Sequence, residues 1–150
     1  MQASIKSKFS TRLMMTIFLC AIMSSQLYAQ DQKDPRWTAT QILTHYKAKN
    51  WKVLLVYTTG SNTKYFNSII SGKNSSRLSS ITSGWRWNVV SAWDGKIGEL
   101  REGVQGLVYA KFAQKDKDCY LVAMLKKDQQ WYLEDIKSPK CETFKNYKAR

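Results

Sequence analysis

The stretch AKFAQKDKDCYLVAMLKKDQQWYLEDIKSPKCET, Ala110 to Thr143, decides the fold. In and just before it lie three runs rich in β-branched and aromatic residues: Leu107–Ala113, Asp118–Leu125 and Trp131–Ile136. Such side chains suit a pleated, half-buried surface. The charged turns between them, Gln114–Lys117 and Lys126–Gln129, are short enough for hairpins, so the runs are expected to form an antiparallel meander. Ile97–Arg101 reads as a further short strand, giving three to four strands in all. Alternation places Trp131, Leu133 and Asp135 on one face of the last strand, and Tyr132, Glu134 and Ile136 on the other.

Two cysteines bracket the last two runs, Cys119 at the start of the second and Cys141 past the end of the third. The alternatives to a disulfide are weak. A redox pair would have two residues between its cysteines, and zinc would need ligands that a chain with one histidine does not supply. A structural disulfide is expected, closing a loop worth roughly 3 kcal/mol in the chain-entropy model. A hairpin centred near Lys127 and Asp128 sets Cys119 opposite about residue 136. The bridge would then fold the basic tail back over the sheet edge.

Upstream of the strands the period changes to that of a helix. Ala39, Ile42, Leu43 and Tyr46 share one helical face, with Asp34-Pro35 as the start. Asn50 interrupts, and Trp51–Tyr57 (WKVLLVY) is apolar nearly all round, as a short buried helix would be. Gly60 reads as its stop and Ser61 as the cap of a third helix facing inward through Tyr65, Phe66, Ile69 and Ile70. Residues 71–83 are serine-rich and read as a surface loop, with at most a weak helical turn. Trp85, Val89, Ala92 and Trp93 then repeat at helical offsets, ended by Asp94-Gly95. Helices first and strands afterwards predict an α+β domain, the helices packed on one face of a curved antiparallel sheet.

Residues 1–29 are expected to be a signal peptide rather than part of that domain. Lys6, Lys8 and Arg12 precede an apolar stretch of 11 residues, Leu13–Met23, and Ala29 offers a cut before Gln30. The apolar stretch is too short to span a bilayer. Cys20 follows the large Leu19, so it does not read as a lipidation site. The expected product is a periplasmic or secreted single domain, residues 30–150, with a basic C-terminal tail and no transmembrane segment. It carries 21 basic against 11 acidic side chains, a net charge of +10. That balance favours anionic partners, but no run of five like charges occurs and export makes nucleic acid an unexpected partner.

The helix break at KAKNWKVL (47–54), the aromatic helix after it and the terminal LKKDQQWYLEDI (125–136) resemble the nuclear-transport-factor-2-like (cystatin-like) superfamily. The resemblance covers about residues 36–137 and is greatest to small secreted bacterial members. It implies a cone of helices and curved sheet whose interior can hold a ligand, and pairing of two copies through the outer sheet face. In the enzymes of the superfamily, a carboxylate, histidine or tyrosine points into the cone.

Against that pattern, His45 and Asp135 are the candidates for a general base, and neither belongs to a recognisable catalytic set. A satisfied boundary histidine and a solvated or lysine-paired aspartate are the simpler readings. Six tryptophans lie in the mature chain, and Trp85 and Trp87 cannot share one helical face. Tyr46, Trp85, Trp87 and Trp131 are therefore the candidate ligand-pocket residues. No metal site and no cofactor motif is read. The leading expectation is an exported, non-enzymatic binding module, able to form a homodimer and to take a small apolar or anionic ligand. Two other classes stand beside it: a carrier or enzyme using His45 or Asp135, and a cationic factor acting on anionic membranes or host targets.

Overall fold

The computed structural model describes residues 32–73, 76, 79 and 82–150. The expected signal peptide lies outside them, as do residues 74, 75, 77, 78, 80 and 81 of the serine-rich stretch. Among the described residues the chain is α+β, with helices leading into a five-stranded antiparallel sheet.

Helix α1 spans Pro35–Lys47 and starts where the sequence places it. The Asp34 carboxylate accepts from Arg36 N at 2.9 Å, and Pro35 occupies the first turn, where its missing N–H costs nothing. Its buried face includes Ala39, Ile42, Leu43 and Tyr46. The next run departs from the expected buried helix. It forms one α-turn, α2 (Trp51–Leu54), and a 3-10 turn (Leu55–Tyr57), burying Leu54 and Tyr57 while Val56 stays 56% exposed. Gly60 does not stop a helix. It opens α3 (Gly60–Ile70) with φ +59°, a left-handed conformation that suits glycine.

Helix α4 spans Trp85–Ser91, and its core face differs from the expected one. Val90 is fully buried and Trp87 packs against the core, whereas Trp85 points outward and Ala92 is exposed. Trp93 is buried beyond the helix end, where its indole donates to Lys96 O at 2.7 Å.

The strands are β1 (Leu100–Glu102), β2 (Val108–Lys115), β3 (Asp118–Lys127), β4 (Gln130–Lys137) and β5 (Lys148–Ala149). Their order is β4-β3-β2-β1-β5, so β4 and β5 are the edges. Both hairpins close on two residues: Lys115 pairs Asp118, and Lys127 pairs Gln130. Asp128 and Gln129 take φ 49° and 66°, the left-handed pair whose twist matches flanking strands.

Each hairpin carries a register shift, and the one in β4 overturns the simple alternation. Leu133 pairs Met124 and Asp135 pairs Ala123, leaving Glu134 as the extra residue of a bulge. Trp131, Leu133 and Ile136 therefore share the helix-covered core, and Asp135 turns to the side of Ala123. The bulge and the tight turn also move the cysteine register: Cys119 N donates to Pro139 O at 2.9 Å rather than facing residue 136.

The sheet is covered on both faces. Helices α1–α4 and the larger core lie on one; on the other, Tyr109, Cys119, Leu121 and Ala123 pack against Phe144. Phe144 belongs to α5 (Cys141–Lys145), which follows the Cys119–Cys141 disulfide. The tail thus crosses the outer face instead of wrapping an edge. It ends as β5, paired antiparallel to β1. Among the described residues no helix is long and apolar enough to cross a membrane.

Candidate functional site

A cleft of about 680 Å³ lies between α3, the start of α4 and edge strand β4. Its walls are aromatic because three helices turn rings toward the same strand. Tyr46 from α1, Tyr65 and Phe66 from α3, and Trp85 from α4 line it, with Leu133 and Ile136 contributed by β4.

The rings hold one another in place. Tyr46 meets Trp51 edge-on at 5.3 Å, and Trp51 stacks on Phe66 at 6.0 Å. Phe66 meets Tyr65 edge-on at 5.4 Å. Pairs of this geometry add to the stabilisation from burial alone and give rigid walls before any ligand arrives.

The polar part of the cleft is built around Arg86 and Asp135. Arg86 Nη2 donates to Asp135 Oδ1 at 3.0 Å, and Arg86 Nε donates to Ile136 O at 3.1 Å. Asp135 Oδ1 also accepts from Ile136 N at 2.8 Å. The pair is fixed by the bulge, which aims Asp135 at the guanidinium while returning Ile136 to the core. Both side chains are more than a third exposed, so the pair contributes little to stability. Its value is a fixed donor beside a fixed acceptor.

Lys64, Ser61 and Glu134 complete the mouth. Asn62 Nδ2 donates to Leu133 O and Glu134 O, both at 2.9 Å, and so occupies the outer edge of β4.

Burial pushes the Tyr46 phenol well above its ordinary value near 10. Tyr65 and Asp135 add to that rise and Arg86 opposes it. Tyr46 therefore stays protonated at neutral pH, which makes it a hydrogen-bond donor rather than a base or nucleophile.

The structure gathers only some of the residues singled out by sequence. Tyr46, Trp85 and Asp135 line the cleft. Trp87 stands behind it, stacked near Tyr46 at 6.4 Å, with Lys49 Nζ 4.6 Å from its ring centre. Trp131 lies elsewhere: it is buried at the start of β4, and its indole donates to Lys33 O at 3.1 Å. His45 is outside the cleft lining and stacks on Tyr57 at 5.9 Å; burial lowers its pKa. Asp135 reaches the cleft rim through the bulge, not on the tryptophan face. Sequence reasoning missed Arg86, Asn62 and Tyr65 as cleft residues. Arg86 between two tryptophans was the one available signal.

Among the described residues no group of histidine, cysteine, aspartate and glutamate side chains could hold a metal ion. Compared with protein-family models, with curated proteins and with solved structures, the chain matches none.

Proposed function

We propose that the protein is an exported, non-enzymatic binding module with a nuclear-transport-factor-2-like fold, its ligand held in the aromatic cleft. The carrying observation is the cleft itself: about 680 Å³ of concave space with interlocked aromatic walls and one fixed donor–acceptor pair. Ligand sites combine apolar walls with a few oriented polar groups in this way. The order of helices before strands, and the helix layer on one sheet face, support the superfamily reading and its cone. The disulfide and the n-region, apolar core and Ala29 of the first 29 residues support export to an oxidising compartment.

Binding is favoured over catalysis because the groups in the cleft are held in unreactive forms. Tyr46 is kept protonated and Asp135 is engaged by Arg86, while His45 lies outside the cleft, against Tyr57. Pairing of two copies through the outer sheet face, which the resemblance implies, is not part of the proposal, since the protein's own tail packs there.

The test is titration of the mature protein with N-phenyl-1-naphthylamine, a neutral apolar fluorophore. Saturable one-to-one binding is expected. Ser61→Trp, which fills the mouth from an exposed helical position, should abolish it at unchanged Tm. Equal binding by the variant, or none by the natural protein, would overturn the proposal.

A further inference from the structure

The aromatic cleft does not end at Trp85. A second cleft of about 350 Å³ opens beyond it, lined by Tyr109, Leu121, Lys137 and Tyr147 on the outer sheet face. The two clefts share Trp85, Arg86, Asp135 and Ile136. These four residues form a saddle at the end of β4, with one lobe on either side. Trp85 is 43% exposed on that saddle, with the Arg86 guanidinium carbon 4.9 Å from its ring centre.

We propose that the two lobes are one groove that binds an elongated, electroneutral chain of sugar rings bearing N-acetyl groups. The inference rests on the cleft being a ligand site, as argued above, and adds the ligand's class and length. A compact apolar ligand would fill the first lobe alone and leave the saddle and the second lobe unused.

The chemistry of the saddle selects the class. An exposed indole offers a flat face for the C–H side of a pyranose ring. Beside it, Arg86 and Asp135 set a donor next to an acceptor, both fixed by hydrogen bonds at 3.0 and 2.8 Å. An acetamido group presents the complementary carbonyl and N–H, and vicinal hydroxyls present both roles on neighbouring carbons.

Charge argues against a polyanion. Arg86 and Asp135 offset each other and Glu134 accompanies Lys64 in the first lobe, so among the described residues Lys137 is the one lining charge left unmatched in the groove, too little for a polyanion. Peptide addition to the β4 edge is disfavoured as well, because that edge is already taken. Asn62 holds Leu133 O and Glu134 O, Arg86 holds Ile136 O, and Gln32 exchanges two hydrogen bonds with the Trp131 backbone. Strand addition needs those backbone groups free.

The experiment uses the full mature protein, titrated with the tetramer and the monomer of N-acetylglucosamine and with the glucose tetramer, read by calorimetry. The N-acetylglucosamine tetramer should bind about tenfold or more tighter than its monomer, since only the chain spans both lobes. Trp85→Ala should weaken the tetramer by at least about tenfold, and Asp135→Asn should reduce its preference over the glucose tetramer. Circular dichroism confirms that each variant is folded.

Equal affinity for tetramer and monomer, or an unchanged Trp85→Ala, would overturn the groove. So would absent saturation up to about 10 mM sugar, near the limit of meaningful affinity. If the fluorophore still binds in that case, the binding-module reading survives and only the sugar inference fails. If neither probe binds, both fail.

Discussion

Gly103 shows how one missing methyl group can set the packing of a face. A Cβ built there would lie 2.1 Å from Tyr109 Cε2, far inside contact distance. The Tyr109 ring cannot easily retreat, because it packs against Tyr147 at 4.9 Å under the tail. Gly103→Ala should therefore destabilise by about 1–3 kcal/mol through overpacking, measured as a lower denaturation midpoint. A midpoint within error of the natural protein would mean that the ring moves freely.

His45 gives a second residue-scale expectation, with its sign fixed by burial. The folded protein favours the neutral imidazole, so the pKa lies below its ordinary value near 6.5. The resulting stability is complete above that value and is lost as the pH falls through the lowered one. His45→Phe keeps a ring for the Tyr57 stack and cannot titrate. Its Tm should fall less than that of the natural protein on acidification below about pH 6.5; parallel curves would refute the coupling.

Legibility at this scale depended on the spacing of apolar residues. Leu133 and Ile136 are three apart in a strand that otherwise steps by two. That extra step is the trace of the bulge, and it could have placed Asp135 correctly. The hydrophilic Glu134-Asp135 pair hid it, since either residue could face water.

Among the elements, the tail departs furthest from what its sequence suggests. CETFKNYKAR has no sustained period, and β5 is two residues long. Its placement comes from partners distant in sequence. Cys141 is bonded to Cys119, Phe144 is buried on the sheet, and Arg101 Nη1 donates to Lys145 O and Tyr147 O, both at 2.9 Å. No local pattern announces contacts of this range. The hairpins were legible for the opposite reason, since charged pairs between alternating runs specify a tight turn locally. Only their register, which the bulges shift, was not.

The disulfide should be the strongest of the tail's fastenings. Replacing both cysteines by alanine opens a 22-residue link and should cost roughly 3 kcal/mol in the chain-entropy model. The same variant should be cut faster by trypsin at Lys145 and Lys148. Unchanged digestion would show that Phe144 and β5 hold the tail without the bridge.

For the whole molecule, charge and exposed surface decide how copies meet one another. Lys115 and Lys117 at one end of β3 and Lys126 and Lys127 at the other stand about 30 Å apart at strand rise. The net charge of +10 over residues 30–150 is thus not gathered at one end of the sheet, which weakens the case for a membrane-directed cationic face and keeps copies apart. Among the described residues a second apolar cluster lies on the outer sheet face, and the tail covers it with Phe144 and Tyr147. A dimer through that face would have to displace a segment tethered by a disulfide and by the hydrogen bonds of Arg101. The protein should therefore be monomeric at micromolar concentration by light scattering on a sizing column. Deleting residues 141–150 uncovers Tyr109, Leu121 and Ala123, and exposed patches of this kind drive association. The truncated chain should elute as a dimer or larger species, and added salt should strengthen that association by screening the residual positive charge. A natural protein that is already dimeric, or a truncated one that stays monomeric at high salt, would show that the tail is not what keeps this face from pairing.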